Sequence, residues 1–257
     1  MADRNRTAAA SLILSACAVF LSVLALLFAT GTFDAGRPSS TAFETLSRDY
    51  LLQNPEAIVE ALQQLEERRQ TADANELQAV IAARRDAIFD DPDSPVSGNP
   101  EGDVALVEFF DDNCPYCRQA SPIIQQAMEA DPGLKFVHKE WPILGSGSEF
   151  AARAALAARK QGKYDEFHKA LMSSSGRVSE SSTLAVAEEL GLDTEQLRLD
   201  MEAPTVATAI DRNKALADEL RITGTPGFVV GQNIIRGLVD LDTLQQFIAE
   251  ARVQAKD

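Results

Sequence analysis

Two cysteines separated by two residues, Cys114-Pro115-Tyr116-Cys117, close an apolar run, Val104-Ala105-Leu106-Val107-Glu108-Phe109-Phe110. Thiols at that spacing can join across one helical turn, so Cys114 and Cys117 are a candidate redox-active disulfide. The same spacing is half of a zinc site, but zinc takes four ligands. Outside the N-terminal apolar run the remaining soft ligands are His138 and His168, spaced unlike any zinc finger. Neither a metal nor another cofactor is expected. The third cysteine, Cys17, falls in that apolar run, so a structural disulfide framework is not expected either.

The elements that must position the pair follow from its flanks. Residues 104–110 are β-branched and aromatic with one interruption, which suits a strand buried on both faces. After Cys117, Ile123-Ile124 and Ala127-Met128 recur at helical spacing. Pro115 falls in the first turn, where its missing N–H costs nothing. Cys114 then caps a helix N-terminus, where unpaired N–H groups favour thiolate over thiol, and it is expected to be the exposed, attacking thiol. Cys117, one turn inside, is expected to be more buried and to resolve the mixed disulfide. Glu108, flanked by apolar residues, reads as a buried acid of raised pKa rather than an edge residue in water.

Strand, acidic turn, Cys-Pro-Tyr-Cys and helix resemble the thioredoxin superfamily, and Val107-Glu108-Phe109-Phe110 resembles its periplasmic DsbA-like branch. The resemblance covers roughly residues 95–253. It implies an α/β thioredoxin-like fold with an inserted helical subdomain, at about 148–220. It implies that Glu108, six before Cys114, exchanges a proton with Cys117. It also implies that Thr225-Pro226, within Gly224-Thr225-Pro226-Gly227-Phe228, is a cis-proline loop facing the disulfide. Thr225 and Pro226 would then pair with an extended substrate segment as an added strand, and Pro115 and Tyr116 would supply part of an apolar landing surface.

Composition sets limits. With 257 residues and 45% hydrophobic content the chain can hold one full domain plus further elements. A net charge of −15 argues against nucleic acid or an anionic membrane surface as a partner, because phosphate binding needs clustered Lys and Arg.

Residues 1–35 read as a signal anchor or signal peptide. Leu12 to Ala29 is nearly continuous Leu, Ile, Val, Ala and Phe, long enough for a spanning helix and longer than a usual signal-peptide core. Arg4 and Arg6 precede it and leave the N-terminus in the cytoplasm. The remainder would lie on the extracytoplasmic, periplasmic side of a bacterial inner membrane, anchored by about residues 8–30, or free in the periplasm if the segment is cleaved. Leu14-Ser15-Ala16-Cys17 resembles a lipoprotein processing box, but the apolar run continues past it, and Cys17 reads as a membrane-buried thiol.

Residues 36–91 read as a helical arm. Phe43, Leu46 and Tyr50, then Ile58, Leu62 and Leu65, then Leu77, Ile81 and Ile88 form one apolar stripe, and Asn54-Pro55-Glu56 marks a helix start. The stripe is too one-sided for a core of its own. It is expected to pack on copies of itself, giving a homo-oligomer through residues 40–90, rather than on the chain's own second domain. Asp90-Asp91-Pro92-Asp93 places the boundary of the redox domain at residue 92, running to 257. Within it, His138 reads as a packed strand residue, 148–220 as a series of helices, and 227–238 as a hairpin followed by a closing helix.

The residues together suggest an extracytoplasmic thiol–disulfide oxidoreductase whose partners are cysteine-containing proteins and a membrane redox protein that resets the pair. Tyr116 brings no positive charge between the cysteines, and Asp111 and Asp112 oppose a thiolate, which makes the disulfide less oxidising. Threonine before Pro226 also resembles the isomerase and reductase branch. With the arm, the whole is similar to the ScsC-like (suppressor of copper sensitivity) proteins. An oligomeric isomerase or reductase is therefore expected. The competing readings are a monomeric DsbA-like oxidase that introduces disulfides, and a copper- or zinc-binding chaperone or a tethered scaffold with incidental thiols.

Overall fold

The computed structural model describes residues 19–23, 25–26 and 40–255. The expected anchor, about residues 8–30, and Cys17 lie largely or wholly outside these. Among the described residues no helix is long and apolar enough to cross a membrane. The chain divides into two compact units, Met1–Arg69 and Gln70–Asp257.

The first unit is helical where described. Helix α1 (Ser40–Gln53) ends where Asn54 turns its amide back onto the Tyr50 carbonyl at 2.9 Å. Pro55 offers no N–H to continue the ladder, and a 28-residue helix, α2 (Glu56–Ala83), begins at Glu56. The predicted stripe is exposed here: Phe43, Leu46, Tyr50, Ile58, Leu62 and Leu65 all stand in solvent.

In the second unit, α2 ends and a short α3 (Arg85–Phe89) follows. Strands β1 (Val96–Gly98), β2 (Val104–Phe110), β3 (Leu134–Glu140), β4 (Gly227–Val230) and β5 (Asn233–Arg236) form one sheet in the order β1-β3-β2-β4-β5. The β2/β3 pair is parallel and the others are antiparallel. Helix α4 (Pro115–Ala130) makes the crossover between the parallel strands. Helices α5 (Ser146–Ala158), α6 (Tyr164–Ser173), α7 (Glu180–Glu189), α8 (Thr194–Met201) and α9 (Pro204–Glu219) are inserted between β3 and β4, and α10 (Leu241–Gln254) closes the chain. This is the expected thioredoxin-like α/β fold with its helical insertion.

Both sheet faces are covered, which is why β2 reads as an apolar run rather than an alternation. On one face Val104, Leu106, Leu134, Phe136, Phe228 and Val230 pack under α4 and α10. On the other, Val107, Phe109, Val137 and Val229 meet Leu216, Leu220 and Ile222, and also Ile81, Ile88 and Phe89. The last three correct the boundary placed at residue 92. The end of the arm is core of the second unit, because its apolar side chains complete a sheet face that α9 alone leaves open. Lys139 seals this join: fully buried in β3, its Nζ donates to the Ala87 carbonyl at 2.7 Å and to Ser94 Oγ at 2.7 Å, and pairs with Asp91 at 3.3 Å. The insertion has its own core of small and aromatic residues around Ala154, Ala158, Phe167 and Leu197.

Candidate active site

Strand β2 delivers the chain into a turn and α4 starts at once. Pro115 occupies the first helical position, and Cys114 is the N-cap residue with extended backbone (φ −76°, ψ 119°). Asp111 holds the turn. One carboxylate oxygen accepts the Asn113 N–H at 2.7 Å, and the other accepts the N–H groups of Ile143 and Leu144 at 2.7 and 2.9 Å. Asn113 clamps the residue before the first cysteine to the insertion. Its amide donates to Ser148 Oγ and the Val178 carbonyl, and its oxygen accepts the Val178 N–H at 2.7 Å. Neither role is readable from sequence, since each partner lies in another segment of the chain.

The Thr225–Pro226 bond is cis, as the resemblance implied. The loop sits against the dithiol: the Cys114 thiol donates to the Thr225 carbonyl oxygen at 3.2 Å. Gly227, which follows, lies so close to the Ile222 side chain that no Cβ fits there, and this lets the loop reach the site. Cys114 and Cys117 are both free thiols, packed with Phe110 and Met172. The expectation that Cys114 is exposed needs correction. It retains 4% of its surface and Cys117 1%, because Phe110 and Met172 pack with both and the Thr225 carbonyl meets Cys114. Tyr116 (57% exposed) and Pro115 instead form the outer surface. Exposed Ile143 and Leu144, held by Asp111, also belong to that surface.

Behind the thiols the site is acidic and dry. Glu108 is buried with one carboxylate oxygen unpaired, and burial, then the charges of Cys114 and Asp112, hold its pKa well above the ordinary value. Burial, then Glu108, pushes the Cys117 thiol up strongly. Asp112 is buried with both oxygens unpaired and is raised to about 7 by burial and by Asp111, against the opposing pull of Arg118. Glu140, on the neighbouring strand, is raised by burial and by Asp112, and accepts the Tyr164 hydroxyl at 2.8 Å. The burial of Asp112 and Glu140 was not legible in the sequence. His138 is a packed residue, as expected, with Nε2 2.6 Å from Ser97 Oγ and its ring 4.7 Å from that of His168. Among the described residues no group of three or more His, Cys, Asp or Glu is placed to hold a metal ion.

The structure thus brings Cys114, Cys117, Glu108, Thr225 and Pro226 together, with Pro115 and Tyr116 on the rim. Comparison with known proteins gives the same frame. Residues 105–249 match the DSBA-like thioredoxin domain, and residues 41–72 match the copper resistance protein ScsC N-terminal domain. A thioredoxin-like oxidoreductase from Silicibacter pomeroyi DSS-3 is 56% identical over 66% of this chain and 98% of its own, with a TM-score of 0.65. Proteus mirabilis ScsC in a compact conformation is 30% identical over 83% of this chain and 98% of its own, with a TM-score of 0.64. Among curated sequences, a Na(+)/H(+) antiporter NhaA 1 of Salinispora arenicola is 30% identical over 63% of this chain. The chain spans only 25% of the length of that relative.

Proposed function

The chain belongs to the DSBA-like thioredoxin family, and we propose that within it the protein works as an extracytoplasmic thiol–disulfide oxidoreductase, an oligomeric disulfide isomerase or reductase. The observation that carries this reading is the dithiol at the start of α4, set between the Thr225–Pro226 loop and the buried carboxylate of Glu108. In the proposed reaction Cys114 attacks a substrate disulfide as thiolate, forming a mixed disulfide and releasing one substrate sulfur as thiolate. Cys117 loses its proton to Glu108 and attacks Cys114. The enzyme disulfide forms, and the second substrate thiolate departs. Thr225 and Pro226 present backbone to the substrate segment, and Pro115 and Tyr116 its apolar footing.

Direction follows from electrostatics. A disulfide is strongly oxidising when its reduced thiolate is well stabilised. Here Tyr116 offers no positive charge between the cysteines, which supports the less oxidising, isomerase or reductase reading. The exposed stripe of α1 and α2, and the match of residues 41–72 to the ScsC N-terminal domain, support oligomerisation through the arm. We further propose that residues 8–30 anchor the protein in the inner membrane, that its substrates are cysteine-containing extracytoplasmic proteins, and that a membrane redox protein resets the pair.

The deciding experiment pairs the reduction potential of the Cys114–Cys117 couple with refolding of a scrambled disulfide protein, on the chain from residue 36 and on one from Gln70. A potential near the thioredoxin range, about −270 mV, with refolding that needs the arm, is the expected result. A strongly oxidising potential near about −120 mV, or a monomeric long form, points instead to an oxidase.

A further inference from the structure

The carboxylates behind the dithiol exceed what one proton acceptor requires. In the register of the parallel pair, Glu108 lies beside His138 and Phe110 beside Glu140. Side chains on alternate positions share a face, so Glu108 and Glu140 are neighbours on the face that carries α4. Asp112 follows Phe110 by two residues, at the end of the strand. Both its oxygens and one of Glu108 are buried without a hydrogen bond, and Nη2 of Arg118, one residue past Cys117, is a buried donor without one. Arg118 is tied down by its other nitrogens, Nε to the Asp112 carbonyl at 3.0 Å and Nη1 to the Gly176 carbonyl at 2.6 Å. An unpaired buried carboxylate is costly where an apolar side chain would pack without penalty. Its position is explained if it takes up and gives back a proton.

We propose that Asp112 is the second station of a proton relay, receiving from Glu108 the proton that leaves Cys117, with Arg118 holding it at the edge of the site. This rests on the oxidoreductase reading above. As the Cys117 sulfur attacks Cys114, its proton passes to the Glu108 carboxylate. The bond between Cys114 and the substrate sulfur breaks, its electron pair leaves on the substrate thiolate, and that thiolate is protonated by solvent. In the same step Glu108 hands its proton on to the ionised Asp112 carboxylate, so resolution needs Asp112 as its final acceptor, and reduction of the enzyme runs the same steps backwards. Asp112 acts through Glu108 and is a positioning residue. The groups facing it are Asp111 in its own turn, Arg118 on α4, Glu108 on β2, Glu140 on β3 and Tyr164 on α6. Its raised affinity for protons, with a midpoint at about 7, suits a group that must change state near neutrality.

The test follows decay of the mixed disulfide by quenched-flow in the full chain, with a disulfide-bonded peptide as probe, across neutral pH. In the wild type the resolving rate should rise through about pH 7. Asp112→Asn should lose that rise and slow resolution on the order of tenfold above it, less than the roughly hundredfold or more that a direct proton acceptor contributes, because Glu108 remains. Arg118→Gln should move the rise to higher pH. In a Glu108→Gln background, Asp112→Asn should add almost nothing, whereas a merely structural effect would add in full. Redox-difference infrared spectra should contain a protonated-carboxyl band that Asp112→Asn removes. An unchanged pH profile in Asp112→Asn, or full additivity with Glu108→Gln, overturns the relay and leaves the oxidoreductase reading intact. A wild type that forms no mixed disulfide overturns both.

Discussion

The Cys114 thiol donates to the carbonyl oxygen of Thr225 at 3.2 Å, across 111 residues of sequence. In the proposed reaction that carbonyl pairs with the substrate strand, which the first thiol would then have to release. Despite its small exposed surface, Cys114 should react first with alkylating reagents, because burial and Glu108 keep Cys117 protonated. Mass mapping after limited labelling checks this, and faster modification of Cys117 reverses the assigned order. Cys117→Ser should accumulate a mixed disulfide through Cys114.

Glu108→Gln should slow release of the mixed disulfide more than its formation. It should also change stability in a pH-dependent way. The folded pKa of Glu108 lies well above its unfolded value. Its ionisation therefore costs nothing below the unfolded pKa, and the cost grows as pH rises towards the folded one. The variant should gain roughly one to a few kcal/mol in neutral and alkaline urea titrations and little in acid.

His168 titrates with the opposite sign. It is buried and neutral beside Phe110, His138 and Tyr164, and burial, then Lys169, lowers its pKa from 6.5 to about 4. The unfolded chain binds the proton first, so native stability falls as pH drops from 6.5 to about 4. His168→Phe, which keeps a ring in the stack, should be more acid-resistant by up to about 3 kcal/mol. Above pH 6.5 this part of the difference should vanish. Urea midpoints measured at both ends of the range decide it.

Truncation should distinguish the two parts of the arm. A chain beginning at Gln70 keeps Ile81, Ile88, Phe89 and the Ala87 carbonyl that Lys139 needs, and should fold as a monomer with a reactive dithiol. A chain beginning at Asp91 opens one sheet face and leaves Lys139 short of a partner. It should lose several kcal/mol or fail to fold. Thermal melts and light scattering on the pair give the answer.

What the sequence determined by itself is local. Strand β2, Pro115 at the start of α4, the helix restart after Asn54-Pro55, and the hairpin near Gly231 each depend on periodicity or on a residue whose backbone chemistry permits little else. The placing of Cys114 and Cys117 within one turn at the start of α4 was legible for the same reason. The polar environment was decided by tertiary structure. Asp112, Glu140 and Lys139 are polar residues that a pattern assigns to water, yet all three are buried, and distant elements close over two of them: α6 over Glu140, and α3 with the Asp91–Ser94 loop over Lys139. The extent of the redox unit was decided in the same way. Ile81 lies on the same helix as Leu62 and Leu65, and only the open sheet face beside Val107 and Phe109 tells that it belongs, with Ile88 of the next helix, to a different core. A one-sided apolar stripe shows that a helix must be covered, but the covering surface is formed by residues far away in the chain.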